Sequence, residues 1–179
     1  MLYEIQTYGK DVLRTDTKQI PEIDDSIKQI VSNMFETMYA AEGVGLAAPQ
    51  VDKSIRLFVI DLSPLEENEE KRVFINPEIY AFGEEKGEYE EGCLSLPTIR
   101  ETVTRPTTIR IKYQDLDGKL HDEAVDGFLA RVIQHEYDHL EKTLFIDHLS
   151  SLKRSLLKKT LNKIASGEIE VEASENFEL

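Results

Sequence analysis

Two histidines four residues apart, His135 and His139, with a glutamate directly after the first, constrain this chain more than any other feature. They fall near the end of a segment, 127–142, in which Leu129, Val132, Ile133 and Leu140 recur at helical spacing. On a helix, side chains four apart stand one turn above each other, so both imidazoles can reach a single metal ion. Glu136 points into the neighbouring sector, near enough to a metal-bound water to take its proton. Short motifs also arise by chance on surface helices, so the rest of the chain has to supply what the motif lacks.

At 179 residues the chain is long enough to bury one core, and 40% hydrophobic with 31% charged residues is the balance of an ordinary globular domain. Apolar runs are too short for a membrane span, and the N-terminus lacks a basic patch followed by an apolar stretch. A cytoplasmic location is expected. Cys93 is the only cysteine, which rules out an internal disulfide. It is either a buried small hydrophobe or a ligating thiolate. The net charge of −14 argues against nucleic-acid binding by the domain as a whole. Charge is uneven, however. Lys153, Arg154, Lys158, Lys159 and Lys163 occupy an acid-free interval, and Glu168, Glu170, Glu172, Glu175 and Glu178 follow it. The basic run is a solvated helix face or a docking element for a polyanion.

The first helix is expected over 25–41, with an apolar stripe of Ile27, Ile30, Val31, Met34, Phe35 and Met38. Asp24 and Asp25 lie at its start and Gly43 at its stop. The run 43–50, of small residues and a proline, leads to a short strand at 55–61, and 63–71 reads as an exposed acidic loop. Further strands are expected at 72–75, 87–91 and 107–113, the last joined to 120–125 by the turn Asp115-Leu116-Asp117-Gly118. Asp126 is placed to cap the motif helix. A last helix at 151–164 would bury Leu152, Leu156, Leu157, Leu161 and Ile164. The order predicts an α+β fold, mostly antiparallel sheet around a central metal-binding helix, with helices near each terminus. Residues 1–165 form one catalytic domain in this reading, and 166–179 an acidic tail.

Two histidines leave a four- or five-coordinate ion short of a protein ligand. The extended metalloprotease pattern would need glycine and histidine where Lys142 and Phe145 stand, so it is excluded. A downstream glutamate is disfavoured by the acid-free interval, although Glu168 stays formally open. Upstream, Cys93 stands out in Glu91-Gly92-Cys93-Leu94-Ser95, where Gly92 permits an unusual turn. A thiolate is a strong ligand, and metal binding deprotonates it at neutral pH.

Gly43-Val44-Gly45-Leu46-Ala47-Ala48-Pro49-Gln50, Glu91-Gly92-Cys93-Leu94-Ser95 and Gln134-His135-Glu136-Tyr137-Asp138-His139 resemble the three signature motifs of peptide deformylases. They stand in the family's order, and the similarity runs from the N-terminus to about Leu149. The resemblance implies removal of the formyl group from the formyl-methionine of nascent polypeptides. It implies that Cys93, His135 and His139 hold the metal, typically Fe(2+), replaceable by Ni(2+), Co(2+) or, less actively, Zn(2+). Glu136 would be the general base, with the Gln50 side-chain amide and the Leu94 backbone N–H as oxyanion donors. Gly43, Val44 and Gly45 would let substrate backbone pair as an added strand.

By the same resemblance, Val44, Tyr89, Phe128 and Val132 line the methionine pocket, although Val132 equally suits plain core packing. Tyr89 is larger than usual there, and Arg131 replaces an apolar residue of many relatives. Glu42 and Arg105 match a salt bridge that braces the site. Asp138 and Gln134 are expected to be supporting or surface groups, and His121 and His148 non-ligands. In related enzymes the C-terminal helix docks on the ribosome, which the basic stretch is compatible with. A metallopeptidase and an inactive relative that binds peptide N-termini are the competing readings.

Overall fold

The first helix starts where a capping side chain allows it to. In the computed structural model, which describes residues 1–171, α1 spans Asp25–Ala40, and the Asp24 carboxylate accepts from the Ile27 N–H at 3.0 Å. That contact satisfies one of the four backbone donors a helix leaves open at its start. Val31, Met34, Phe35 and Met38 form its buried stripe. Glu172, Glu175 and Glu178 of the acidic tail lie outside the described residues.

Seven strands are found among the described residues: β1 Gly45–Ala47, β2 Leu57–Ile60, β3 Arg72–Phe82, β4 Lys86–Gly92, β5 Arg100–Pro106, β6 Ile109–Gln114 and β7 Leu120–Val125. Every pairing between these strands is antiparallel. Five strands form one sheet in the order β1-β2-β3-β6-β7, and β4 with β5 forms a separate hairpin. Alternation along β2 shows how the layers are set. Phe58 and Ile60 join a core cluster with Val132 and Ile133, whereas Leu57 and Val59 join one with Met34 and Met38. Successive side chains on a strand point to opposite faces. One face of the sheet is therefore covered by α1, and the other by α2, which spans Gly127–Leu140. A third cluster joins Cys93, Leu96 and Val103 to Phe145 and to α3, Ser151–Ala165.

This is the expected α+β arrangement, with several local differences. Segment 43–50, given no element from the sequence, contains β1 and leads into a short 3₁₀ turn at Ala48–Val51. The strand at β3 continues past Ile75, with its register slipping between Ile75 and Glu78. The sequence reading missed β5, whose inward positions hold Val103 and Arg105, so a buried arginine hid its alternation. Gly92 makes no special turn; it stays in β4, opposite Arg100.

Asp126 stands at the N-cap position of α2, but its side chain makes no capping bond. Only its carbonyl engages, accepting from the Ala130 N–H, because the left-handed Gly127 (φ 63°) turns the chain at this point. The buried face of α3 is shorter than expected. Leu161 and Ile164 are buried and Leu157 is partly so, whereas Leu152 and Leu156 are 70% and 75% exposed. Only the C-terminal half of this helix lies over the third cluster.

Candidate metal centre

His135 and His139 project from α2, and Cys93 comes from the tight turn that follows β4, closed by the Leu96 N–H donating to Cys93 O at 2.9 Å. All three side chains are buried, and one ligand atom from each lies within 4.8 Å of the others. The Cys93 Sγ sits 3.4 Å from His139 Nε2. His135 Nε2 is buried with no hydrogen-bond partner among the described residues. A buried polar nitrogen left so is costly unless something else receives its lone pair. The His139 imidazole is pushed down to about 3, first by burial and then by the neighbouring His135. It is neutral at physiological pH, the form a metal ligand needs. One thiolate and two imidazoles in this spacing fit a divalent transition-metal ion.

The carboxylate behind this triad was not singled out from the sequence. Glu91, the last residue but one of β4, is fully buried and accepts four hydrogen bonds. Arg105 donates from Nε to Oε2 (2.7 Å) and from Nη2 to Oε1 (2.9 Å). Arg131 donates to Oε2 at 2.7 Å, and His135 Nδ1 lies 2.8 Å from Oε1. Burial alone would raise the Glu91 pKa, but His135 and Arg105 together hold it well below the usual carboxylate range. An ionised Glu91 accepts a hydrogen bond from the proton on His135 Nδ1, so Nε2 is the ring nitrogen left for a metal. The signal was present in the sequence, since Glu91 opens the Glu-Gly-Cys run, but nothing local said that it turns inward.

The same contacts replace the expected Glu42–Arg105 pair, which does not form among the described residues. All three guanidinium nitrogens of Arg105 are engaged, two by Glu91 and Nη1 by Asp138 at 2.8 Å. Glu42 is exposed, at φ 58°, where α1 ends. A buried carboxylate needs the cation far more than an exposed one does.

Glu136 is wholly buried, and neither carboxylate oxygen has a hydrogen-bond partner among the described residues. Burial, then the charges of Glu91 and Asp138, raises its pKa well above the ordinary value. Gln50 is fixed by chemistry at both ends. The Ala47 N–H can donate only to an oxygen, so Oε1 faces it at 2.9 Å. Nε2 therefore points the other way, to Ser95 Oγ at 3.0 Å and Cys93 Sγ at 3.4 Å. Leu94, next to Cys93, is buried, and no hydrogen bond from its N–H is found among the described residues.

The remaining anticipated residues divide by place. Gly43, Val44 and Gly45 run from α1 into β1, which is the edge strand of the sheet. Val44 and Val132 are buried in the core beside Phe128. The Phe128 ring meets the half-exposed Tyr89 ring at 5.4 Å between centroids. Arg131, anomalous beside apolar neighbours, also donates to Val103 O and Gly87 O at 2.9 Å, and its guanidinium carbon lies 5.8 Å from the Tyr89 ring centre. It therefore ties β4 and β5 to α2. Asp138 links Arg105 to His148, and Gln134 donates to Pro106 O. His121 pairs with Asp115, and neither it nor His148 joins the ligand cluster.

Comparison with known proteins shows the family. Residues 2–155 match the family model described as polypeptide deformylase. A peptide deformylase of Cytophaga hutchinsonii is 47% identical, covering 94% of this chain and 93% of its own. One from Stutzerimonas stutzeri is 52% identical over 85% and 89% of the two chains. Among solved structures, a peptide deformylase from Legionella pneumophila superposes with a TM-score of 0.84 at 38% identity, covering 98% and 100%. One from Plasmodium falciparum gives 0.86 at 37% identity, covering 92% and 96%.

Proposed function

The chain belongs to the polypeptide deformylase family, and on that premise we propose that it hydrolyses the N-formyl amide of formyl-methionyl nascent peptides, releasing formate and a free amine. The observation that carries this reading is the convergence of three buried ligand atoms within 4.8 Å, with the buried carboxylate of Glu136, on the same helix, making no hydrogen bond among the described residues.

Cys93, His135 and His139 would hold the ion. When bound, such an ion would supply Lewis-acid chemistry, making water acidic enough to attack at neutral pH. We take the native ion to be Fe(2+), with Ni(2+), Co(2+) and Zn(2+) as substitutes. Glu136 takes the proton of the attacking water and later delivers it to the departing amine. Burial and the nearby charges of Glu91 and Asp138 raise its pKa above the ordinary carboxylate value, which favours holding the proton it later delivers. Gln50 Nε2 and the Leu94 N–H donate to the oxygen that becomes negative, where losing one donor costs roughly 10²- to 10³-fold in rate. The open edge of β1 offers Gly43, Val44 and Gly45 to the peptide backbone. Val44, Tyr89, Phe128 and Val132 receive the methionine side chain.

Residues 1–165 would act as one catalytic domain in the cytoplasm, with 166–179 as its tail, although Ile169 still packs against the third cluster. No helix among the described residues is long and apolar enough to cross a membrane. Docking on the ribosome would use α3, where Lys153, Arg154, Lys158 and Lys159 are exposed beside Leu152 and Leu156. Removing α3 would also remove the buried Leu161 and Ile164, so Lys158→Glu/Lys159→Glu is the cleaner test, with loss of ribosome co-sedimentation expected.

The decisive assay is formate release from formyl-Met-Ala by metal-loaded protein. Turnover of that peptide, with unformylated Met-Ala left intact, is expected. Cleavage of the unformylated peptide would instead mark a metallopeptidase, and binding without turnover an inert relative. Glu136→Ala should keep metal and peptide while losing turnover.

A further inference from the structure

Gly45 and the Glu136 carboxylate occupy adjoining space. A methyl group built on Gly45 would lie 2.6 Å from Glu136 Oε1 and 3.0 Å from both Cδ and Cγ. Real side chains essentially never approach a Cβ as closely as the first of these, so one partner would have to shift. The backbone at Gly45 is not left-handed, unlike that at Gly127 or Gly118, so alanine could adopt it without strain. Nor is β1 free to retreat, since Gly45, Leu46 and Ala47 are paired with Ile60, Val59 and Phe58. What moves is the carboxylate.

We propose that Gly45 is a positioning residue for Glu136: its bare Cα is the seat against which the general base rests. The proposal rests on the deformylase reading for its consequence, but its geometry does not. Both oxygens of Glu136 lack a hydrogen-bond partner among the described residues, so no side chain or peptide group holds the carboxylate by a directional bond. Among the described residues its contacts are packing contacts, and Gly45 forms one wall of that packing. This role differs from letting a peptide backbone approach. An approach role predicts weaker substrate binding on substitution; the seating role predicts a slower chemical step with binding retained.

The test is a double-mutant cycle on metal-loaded protein: wild type, Gly45→Ala, Glu136→Ala and Gly45→Ala/Glu136→Ala. Wild-type formate release is measured first, so that failure of the deformylase reading shows there and leaves the folding arm of the cycle intact. With the base displaced by about 1 Å, kcat of Gly45→Ala should fall on the order of 10²-fold, with KM changed by less than about threefold. In thermal unfolding, Gly45→Ala should lower Tm by about 4 °C when Glu136 is present and leave it unchanged when residue 136 is alanine. If Gly45→Ala does not fold, recovery of folding in the double variant supports the seat, and failure of both overturns it. Equal Tm losses in the two backgrounds, or a rise in KM with kcat intact, would also overturn it.

Discussion

Replacing Glu91 by glutamine changes almost no volume, and it should unsettle both the fold and the metal site. The carboxylate offers two acceptor oxygens to four donors: Arg105 Nε and Arg131 Nη1 at Oε2, and Arg105 Nη2 and His135 Nδ1 at Oε1. A carboxamide has one oxygen. Whichever way it turns, its NH₂ group faces two donors, and the arginines lose the charge that compensates them. Breaking a buried ion pair on one side typically costs about 3–5 kcal/mol. For a chain of this size that corresponds to a Tm lower by roughly 6–20 °C. With the His135 ring no longer held, metal affinity should fall about 10- to 100-fold. Urea unfolding and competition against a chelator read the two effects separately.

The pH dependence has a definite sign. Glu91 is held below its ordinary value of 4.5, so its contribution is present above that pH and is lost as pH falls toward its folded-state pKa. Glu91→Gln should therefore flatten the acid limb of the stability profile. A variant within about 1 kcal/mol of wild type, with unchanged metal affinity, would refute the assignment of Glu91 as the group organising the site.

Other perturbations probe separate parts of the account. Leu161→Ala should cost about 2–5 kcal/mol in urea unfolding, whereas Leu156→Ala, on the same helix, should stay within about 0.5 kcal/mol; equal losses would contradict the placement of α3. Asp24→Ala removes the cap of α1 and should lower stability by about 0.5–2 kcal/mol, with Asp24→Asn recovering most of it. Tyr113, whose phenol is pushed up to about 12 by burial and then by Glu123, should still be protonated in ultraviolet titration when exposed tyrosines have ionised. Its contribution to stability is complete below pH 10 and lost as pH climbs toward 12, so Tyr113→Phe should flatten the alkaline limb.

Much of this architecture is local in origin, and so could be read along the chain. The α1 stripe and its Asp24 cap, the turn at Gly118 and the helix bearing His135 and His139 depend on neighbours within a few residues. The chemistry of the donors is local as well, since a thiol and two imidazoles bind metal wherever they meet. Where helix propensity and burial disagree the reading failed: α3 forms as its periodicity requires, but Leu152 and Leu156 stay exposed among the described residues.

Side-chain type and spacing thus determined most of the helices, the side chains able to bind metal and the family to which the chain belongs. Only the tertiary structure decided which residues satisfy one another across the site: Arg105 with Glu91 rather than Glu42, Arg131 bridging β4, β5 and α2, and Glu136 lying against Gly45. Burial is the reason. Removing a charge from water makes its partner obligatory, and that partner is chosen by how distant segments meet, which no window of sequence contains.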